Sequence, residues 1–81
     1  MKKQKTILIY STPYCPWCRR AKEFLKEHKI KFKNIDVSSN EKYAREMIQK
    51  SGQMGVPVID INGEIIIGFD EERLKKALNI Y

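Results

Sequence analysis

The sequence predicts an α/β domain in which the elements follow the order β-α-β-α-β-β-α and form one mixed four-stranded sheet with three helices. Three observations lead to this prediction. In the first half of the chain, β-branched apolar runs alternate with segments whose apolar residues recur at helical spacing. An Asn62-Gly63 pair then separates two β-rich runs, which is the strongest short-range hairpin signal. The length of 81 residues suits one domain, which we expect to span residues 1–81.

The first strand and the first helix are predicted between Thr6 and His28. Thr6–Tyr10 is a nearly continuous apolar and β-branched run, which is typical of a central strand buried on both faces. Pro16 is predicted to open the helix, because its fixed φ and missing N–H suit the first helical position. We expect this helix to end near His28. The side chains at helical spacing on its inner face are Ala21, Phe24, Leu25 and His28.

A second strand and a second helix follow. Lys31–Val37 alternates polar and apolar residues, and we interpret it as a strand parallel to the first, joined to it by a right-handed crossover through the helix. Ser38 and Glu41 have the spacing of a capping box at a helix start. Gly52 is expected to end that helix. The predicted apolar face of the helix consists of Tyr43, Ala44, Met47 and Ile48.

The last third of the chain predicts a hairpin and a third helix. Val56–Ile61 and Glu64–Ile67 are the two arms of the hairpin. Asp70 is placed to cap the final helix, because its side chain can accept from the free N–H groups of the first turn. Phe69 and Leu74 occupy the hydrophobic-staple positions around that cap.

The formal net charge is +6, and much of the basic excess lies between Arg19 and Lys33. No zinc-finger, helix-turn-helix or aromatic-interleaved RNA-binding pattern accompanies it, so we expect no nucleic-acid partner. A solvated basic face explains the excess. A second interpretation is a local positive potential that favours a thiolate and attracts acidic partners.

The sequence predicts neither a membrane segment nor an export signal. No apolar run approaches the roughly 18 residues of a membrane helix. The basic segment Met1–Lys5 resembles the start of a signal peptide, but the apolar stretch Ile7–Tyr10 is shorter than the roughly 7–15-residue core of a secretory signal. We therefore expect a cytoplasmic monomer that does not bind membranes.

The two cysteines, Cys15 and Cys18, lie where the first strand gives way to the first helix. The free N–H groups of a first helical turn and the helix dipole stabilise an anion there, and the thiolate is the nucleophilic form of cysteine. Cys18 lies one turn further on the same side, so the two sulfurs can meet. We predict that Cys15 attacks a substrate disulfide and that Cys18 then attacks Cys15 to release the reduced substrate.

A structural disulfide and half of a zinc site are the competing interpretations. Zinc needs about four ligands, whereas the chain offers two thiols and His28, ten residues beyond Cys18. A C-x-x-C motif inside a βαβ pattern is typical of redox proteins, so we favour redox chemistry and expect no metal site. Tyr14 and Trp17 either pack in the loop or line a substrate groove. At Pro57, the residues alone leave both a cis and a trans peptide bond open.

Four segments occur in an order and at a spacing that match a known family. They are Tyr14-Cys15-Pro16-Trp17-Cys18, Gly55-Val56-Pro57-Val58, Asn62-Gly63-Glu64 and Ile67-Gly68-Phe69-Asp70. On these segments the whole chain resembles the glutaredoxin family, including the NrdH-type redoxins that reduce ribonucleotide reductase. The resemblance implies a thioredoxin-like fold in which Pro57 is cis and faces the cysteines, and in which the Val56 backbone forms a short β-bridge with the substrate.

The resemblance also implies a dithiol enzyme that reduces protein disulfides or glutathione mixed disulfides, with glutathione as a co-substrate and no tightly bound cofactor. Two positions depart from glutathione-using members: Thr12 stands where Lys or Arg often holds a glutathione carboxylate, and Phe69 stands where a second glycine is usual. Gln53 matches a carboxylate-binding Arg or Gln of the family. The residues expected to bind substrate or glutathione are Thr12, Tyr14, Pro16, Trp17, Gln53, Val56, Pro57, Gly68, Phe69 and Asp70.

The electron source and the function class stay open at this point. The Gly68-Phe69 pair is as in NrdH-type redoxins, which are reduced by thioredoxin reductase, whereas Pro16-Trp17 is glutaredoxin-like. The alternative to a glutathione-dependent enzyme is therefore an NrdH-type redoxin that donates to ribonucleotide reductase. An alternative of another class is an iron–sulfur carrier, in which Cys15 thiolates from two chains hold a cluster, as in some glutaredoxins.

Overall fold

The computed structural model describes residues 6–79. Met1–Lys5, where the sequence resembles the start of a signal peptide, lies outside the described residues. Within the described part, four strands and three helices follow the predicted order. They are β1 (Ile7–Ser11), α1 (Pro16–Glu27), β2 (Lys33–Asp36), α2 (Glu41–Ser51), β3 (Val58–Ile61), β4 (Glu64–Ile67) and α3 (Glu71–Leu78).

The four strands form one mixed sheet in the order β2-β1-β3-β4. β1 runs parallel to β2 and antiparallel to β3, and β3 and β4 form an antiparallel hairpin. The prediction of a central first strand is confirmed, because β1 has a neighbour on both sides and its residues Ile9 and Tyr10 have no solvent exposure.

Helices cover both faces of the sheet. Successive side chains of β1 point to opposite faces, so neighbouring residues of this strand pack against different helices. On one face Ile9 packs in a cluster with Leu25 of α1 and Leu74 of α3. On the other face Tyr10 packs in a second cluster with Met47 of α2. The start of α1 thereby lies next to the carboxyl end of the central strand, where the first cysteine follows.

The strand bounds differ from the prediction by one to two residues at several ends. β1 extends to Ser11, because that residue pairs with the last residue of β2 in the parallel ladder. β2 covers Lys33–Asp36 rather than 31–37. β3 begins at Val58 rather than at Val56, and the residue between these two is a proline, which has no N–H to donate to a ladder.

The start of α2 corrects the predicted capping box. Asn40, not Ser38, caps the helix, and its side-chain oxygen accepts from the Lys42 N–H at 2.9 Å. The N–H and the hydroxyl of Ser38 instead donate to Asp36 at 2.9 and 2.6 Å and form a turn ahead of the helix. Tyr43, predicted on the apolar face, lies 38% exposed.

The predicted turns and caps of the second half are confirmed. Asn62 and Gly63 both have positive φ, at 52° and 101°, as a two-residue hairpin turn requires. Gly52 ends α2 in the left-handed region at φ 74°. Asp70 caps α3 and accepts from the Arg73 N–H at 3.2 Å.

A polar cluster links α2 to the sheet beneath it. The Lys50 ammonium donates to the Asp60 carboxylate at 2.8 Å and to the Tyr10 hydroxyl at 2.7 Å. The Tyr10 hydroxyl donates in turn to Glu46 at 2.7 Å, and Asp60 also accepts from the Gly63 N–H at 2.8 Å. One lysine thus connects the central strand, the third strand and the hairpin turn to the second helix.

Candidate active site

Cys15 is the N-cap residue of α1, with extended backbone angles (φ −99°, ψ 111°). Pro16 takes the first helical position, as predicted. The Cys15 sulfur accepts a hydrogen bond from the Cys18 N–H at 3.1 Å, and so takes the place that a serine or aspartate oxygen has in other helix caps. A thiolate here gains a direct N–H donor and the positive end of the helix dipole.

Cys18 differs from Cys15 in exposure. Its side chain is completely buried, whereas Cys15 is partly exposed, and both are free thiols. Burial and, to a smaller extent, the hydrogen bond with Cys15 together raise the pKa of the Cys18 thiol to about 12. Cys18 is therefore a neutral thiol at neutral pH, and of the two thiols only that of Cys15 is accessible from solvent.

This difference predicts selective alkylation. We expect iodoacetamide at about pH 7.5 to label one thiol per folded chain, because the thiolate is the reacting form and access governs its rate. Peptide mass spectrometry should find the label on Cys15, and a second label should follow only in denaturant. A Cys15→Ser variant is the control and should take up no label in the same time. Faster labelling of Cys18 would reverse the assignment of the nucleophile.

The backbone of Val56, the residue before Pro57, lies beside the sulfur of Cys15. The Val56–Pro57 peptide bond is cis, as the resemblance implied. The Cys15 thiol donates to the Val56 carbonyl oxygen across 3.8 Å, and the Pro57 side chain is buried. The predicted β-bridge between the Val56 backbone and a substrate would therefore lie next to this sulfur.

A shallow groove of about 230 Å³ extends along this backbone. The Trp17 ring stacks near Phe69, with ring centres 6.4 Å apart and planes inclined by 26°. Phe69 in turn meets the ring of Phe24 edge-on at 5.8 Å, which holds it in place. The residues that line the groove are Trp17, Val56, Pro57, Gly68 and Phe69. Five of the predicted binding residues are thus gathered in one apolar wall.

Other predicted binding residues lie around the groove rather than in its wall. The Thr12 carbonyl accepts from the Cys15 N–H at 3.4 Å, which places Thr12 beside the nucleophile. Tyr14 is 87% exposed and lies outside the groove lining. Pro16 contributes to a neighbouring surface depression with Trp17. The Asp70 carboxylate is engaged in capping α3.

Gln53 lies apart from the groove lining, and its side chain folds back onto its own loop. Its Nε2 donates to the Gly55 carbonyl at 3.0 Å and to the Ser51 hydroxyl at 3.2 Å, while its Oε1 accepts from the Gly55 N–H at 2.6 Å. Both amide hydrogens are therefore used within the chain. The role of Gln53 in holding glutathione stays a prediction.

One exposed side chain and one contact near the site were not foreseen from the sequence. Met54 is 78% exposed in the loop that leads to Val56. The Arg20 guanidinium lies 6.0 Å from the centre of the Trp17 ring, within reach of a cation–π contact. The spacing of Arg20, one helical turn after Trp17, was the signal that could have revealed this pair.

Comparison with known proteins identifies the family. The sequence profile of the glutaredoxin family matches residues 7–66, which is most of the chain. The chain belongs to the glutaredoxin family. This glutaredoxin is 47% identical over 72 residues to an uncharacterized glutaredoxin-like 8.6 kDa protein in the rubredoxin operon of Clostridium pasteurianum, a match over 89% of this chain and 96% of that protein. It is 36% identical over 63 residues to glutaredoxin 3 of Escherichia coli K12, over 78% and 76% of the two chains.

The prediction of a thioredoxin-like fold is confirmed. The glutaredoxin superposes on the crystal structure of a point variant of the thioredoxin-like protein BC3987 with a TM-score of 0.87, over 100% of both chains, at 33% identity. Within residues 6–79, no helix is both long and apolar enough to cross a membrane. Among those same residues, no three His, Cys, Asp or Glu side chains gather as they would around a metal ion.

Proposed function

We propose that this glutaredoxin is a dithiol oxidoreductase that reduces protein disulfides or glutathione mixed disulfides through Cys15 and Cys18. The observation that carries the proposal is the pairing of a partly exposed sulfur at a helix N-terminus with a buried, neutral thiol one turn away. The first sulfur can attack a substrate, and the second can act as the resolving thiol that attacks the resulting mixed disulfide. The proposal includes a cytoplasmic location, because a single cysteine pair in a cytosolic protein is typically catalytic. It also includes a monomeric state.

The reaction proceeds by two exchanges of sulfur partners. The Cys15 thiolate attacks one sulfur of the substrate disulfide, a new S–S bond forms, and the second substrate sulfur leaves as a thiolate. Cys18 then gives up its proton and attacks the Cys15 sulfur, which releases the first substrate sulfur. The products are a reduced substrate and a Cys15–Cys18 disulfide. Two electrons from an external donor return both cysteines to thiols.

The electron donor in this proposal is glutathione, which acts as a co-substrate rather than a tightly bound cofactor. The apolar wall of Trp17 and Phe69 and the Val56 backbone support binding of a small peptide. A coupled assay that follows NADPH consumption tests the proposal with two arms, one with glutathione and glutathione reductase, the other with thioredoxin reductase. Turnover in the first arm is the expected result. Turnover in the second arm alone would assign the chain to the NrdH-type redoxins, and turnover in neither would refute the proposed enzyme.

The iron–sulfur alternative has its own readout. Cys18 is fully buried, so a cluster on this chain would have Cys15 as its cysteine ligand and would need a second chain to complete its ligand set. A colourless sample after anaerobic purification, with no visible absorption, is the result that supports the enzyme. A brown sample whose colour is lost in Cys15→Ser would support the carrier.

The division of roles between the cysteines predicts the behaviour of Cys18→Ser. We expect this variant to stop after the first exchange with a protein disulfide and to accumulate a covalent complex through Cys15, because the resolving thiol is gone. Activity on a glutathionylated substrate should survive in part, since free glutathione can resolve that intermediate. Non-reducing electrophoresis detects the complex. An absence of any trapped complex with active parent protein would contradict the assigned role of Cys18.

The site also predicts a gain for Thr12→Lys. Thr12 lies beside Cys15 but carries no charge for a glutathione carboxylate. A charged hydrogen bond is worth about 1.5–3 kcal/mol, or roughly ten- to hundredfold in affinity. We expect the KM for glutathione to fall by about tenfold while kcat changes less than about twofold, because the added contact is remote from the reacting sulfur. Thr12→Met, of comparable length without charge, is the matched control, and an equal KM in the two variants would exclude a carboxylate contact.

A further inference from the structure

We propose that Gln53 is a positioning residue that holds the Gly55–Val56 backbone against Cys15. The inference deepens the proposed function and rests on it, because it concerns the same site. It starts from the loop between α2 and β3, residues 52–57, which carries the Val56 carbonyl. The last residue of this loop is tied to the hairpin, because the Pro57 carbonyl accepts from the Gly68 N–H at 2.8 Å, and Gln53 provides the contact earlier in the loop.

The side chain of Gln53 makes this contact with the backbone of Gly55. Its amide oxygen accepts from the Gly55 N–H at 2.6 Å, and its amide nitrogen donates to the Gly55 carbonyl at 3.0 Å. Both backbone groups of one residue are thus paired by one side chain. Since Gly55 offers one donor and one acceptor, the orientation of the amide is determined.

The second amide hydrogen of Gln53 ties this loop to α2. It is donated to the Ser51 hydroxyl at 3.2 Å, and that hydroxyl also lies 2.7 Å from the Met47 carbonyl oxygen in the last turns of the helix. The chain of contacts runs from the helix through Ser51 and Gln53 to Gly55. The residue after Gly55 is Val56, whose carbonyl accepts from the Cys15 thiol.

The space around Gly55 reflects the same close contact. A Cβ added to Gly55 would lie 2.7 Å from the Gln53 amide oxygen, closer than carbon and oxygen can approach. The backbone of Gly55 is not in the positive-φ region, so the side chain of Gln53, not backbone strain, opposes a larger residue here. Gly55→Ala is therefore a way to displace the Gln53 amide without altering Gln53 itself.

The inference separates two roles for Gln53 that predict different outcomes. Both amide hydrogens of Gln53 are donated within the chain, so a carboxylate bound here would have to displace one of these hydrogen bonds. A positioning residue acts through the Val56 backbone and so affects substrates that pair with that backbone. A small disulfide without peptide groups depends on the Cys15 sulfur alone.

The test compares Gln53→Met, Gly55→Ala and the double variant in the coupled assay. Gln49→Met, on the exposed face of α2, is the matched control and should behave as the parent. We expect Gln53→Met to raise the KM for a glutathionylated peptide by about five- to tenfold, the effect of losing hydrogen bonds of ordinary strength. Hydroxyethyl disulfide in a dithiothreitol-coupled assay should change less than about twofold. Gly55→Ala should reproduce this pattern. The KM of the double variant should be no higher than that of either single variant, because both substitutions remove the same contact between Gln53 and Gly55.

A readout that needs no activity accompanies the kinetics. The Gly55 N–H is paired with Gln53, so its hydrogen exchange measured by NMR should accelerate at least about tenfold in Gln53→Met and stay unchanged in Gln49→Met. Slow exchange in Gln53→Met would overturn the inference. So would a KM rise in Gln53→Met that Gly55→Ala does not share, since that result assigns Gln53 to the carboxylate. A parent protein that reduces no disulfide while Gly55 exchange responds as expected would refute the proposed function instead and leave the loop contact standing.

Discussion

Replacement of Cys15 by serine is expected to reduce disulfide reduction by at least about 10³-fold, to the uncatalysed background. A serine oxygen in the N-cap position keeps the hydrogen bond from the Cys18 N–H, so the helix start and the fold should survive. The oxygen cannot form the S–S bond on which the exchange depends. The buried Cys18 does not replace it, because its thiol has no exposure and a raised pKa.

The coupled assay measures this loss, and thermal unfolding checks the fold of the variant. Cys18→Ser is the matched control, because it makes the same chemical change one turn further along α1. Residual turnover above about one per cent in Cys15→Ser, with an unchanged melting temperature, would show that a different group carries the first exchange.

The second large effect concerns stability. Asp60→Ala is expected to lower the free energy of unfolding by about 2–3 kcal/mol, because it leaves Lys50 without its closest carboxylate and the Gly63 N–H without an acceptor. The Asp60 side chain is 12% exposed and that of Lys50 is 30% exposed, so the loss falls below that of a fully buried pair. For a domain of this size the melting temperature should fall by about 10–20 °C.

Two variants bracket this prediction in urea-unfolding experiments. Asp60→Asn keeps an acceptor for Gly63 but loses the charge, and it should cost about half as much as Asp60→Ala. Arg45→Ala breaks the exposed pair between Arg45 and Glu41, whose side chains are 76% and 79% exposed, and should cost less than about 0.5 kcal/mol. Equal costs for the buried and the exposed pair would contradict the role of the Lys50 cluster.

The same cluster determines the response to alkaline pH. Burial opposes the charge on Lys50, but hydrogen bonds to Asp60 and Tyr10 raise the pKa of Lys50 overall. Burial also raises the pKa of Tyr10. A group whose pKa is higher in the folded state than in the unfolded state stabilises the fold at pH values below its unfolded pKa. That contribution is lost as the pH rises through its folded pKa. Stability should therefore fall above about pH 10, and less steeply in Asp60→Ala.

Much of the site was accessible from local sequence. The position of Cys15 at a helix start followed from the proline after it and from the apolar strand before it. The turn at Asn62-Gly63 and the cap at Asp70 followed from residues whose short-range preferences leave few alternatives. The predicted cap of α2 was wrong, because Ser38 and Asn40 are both good capping residues. The choice between them depends on Asp36, which accepts hydrogen bonds from Ser38.

The sequence by itself determined the order of elements, the cysteine pair and the family motifs, because each depends on residues close together in the chain. Only the tertiary structure decided which groups meet across long separations. The Cys15 thiol contacts the Val56 carbonyl, 41 residues away, and Lys50 contacts Tyr10, 40 residues away. The inward fold of Gln53 was also decided only by the structure, although its partners lie two residues away, because the amide of a glutamine can serve a ligand or a backbone equally well. Its choice depends on the conformation of the loop between α2 and β3.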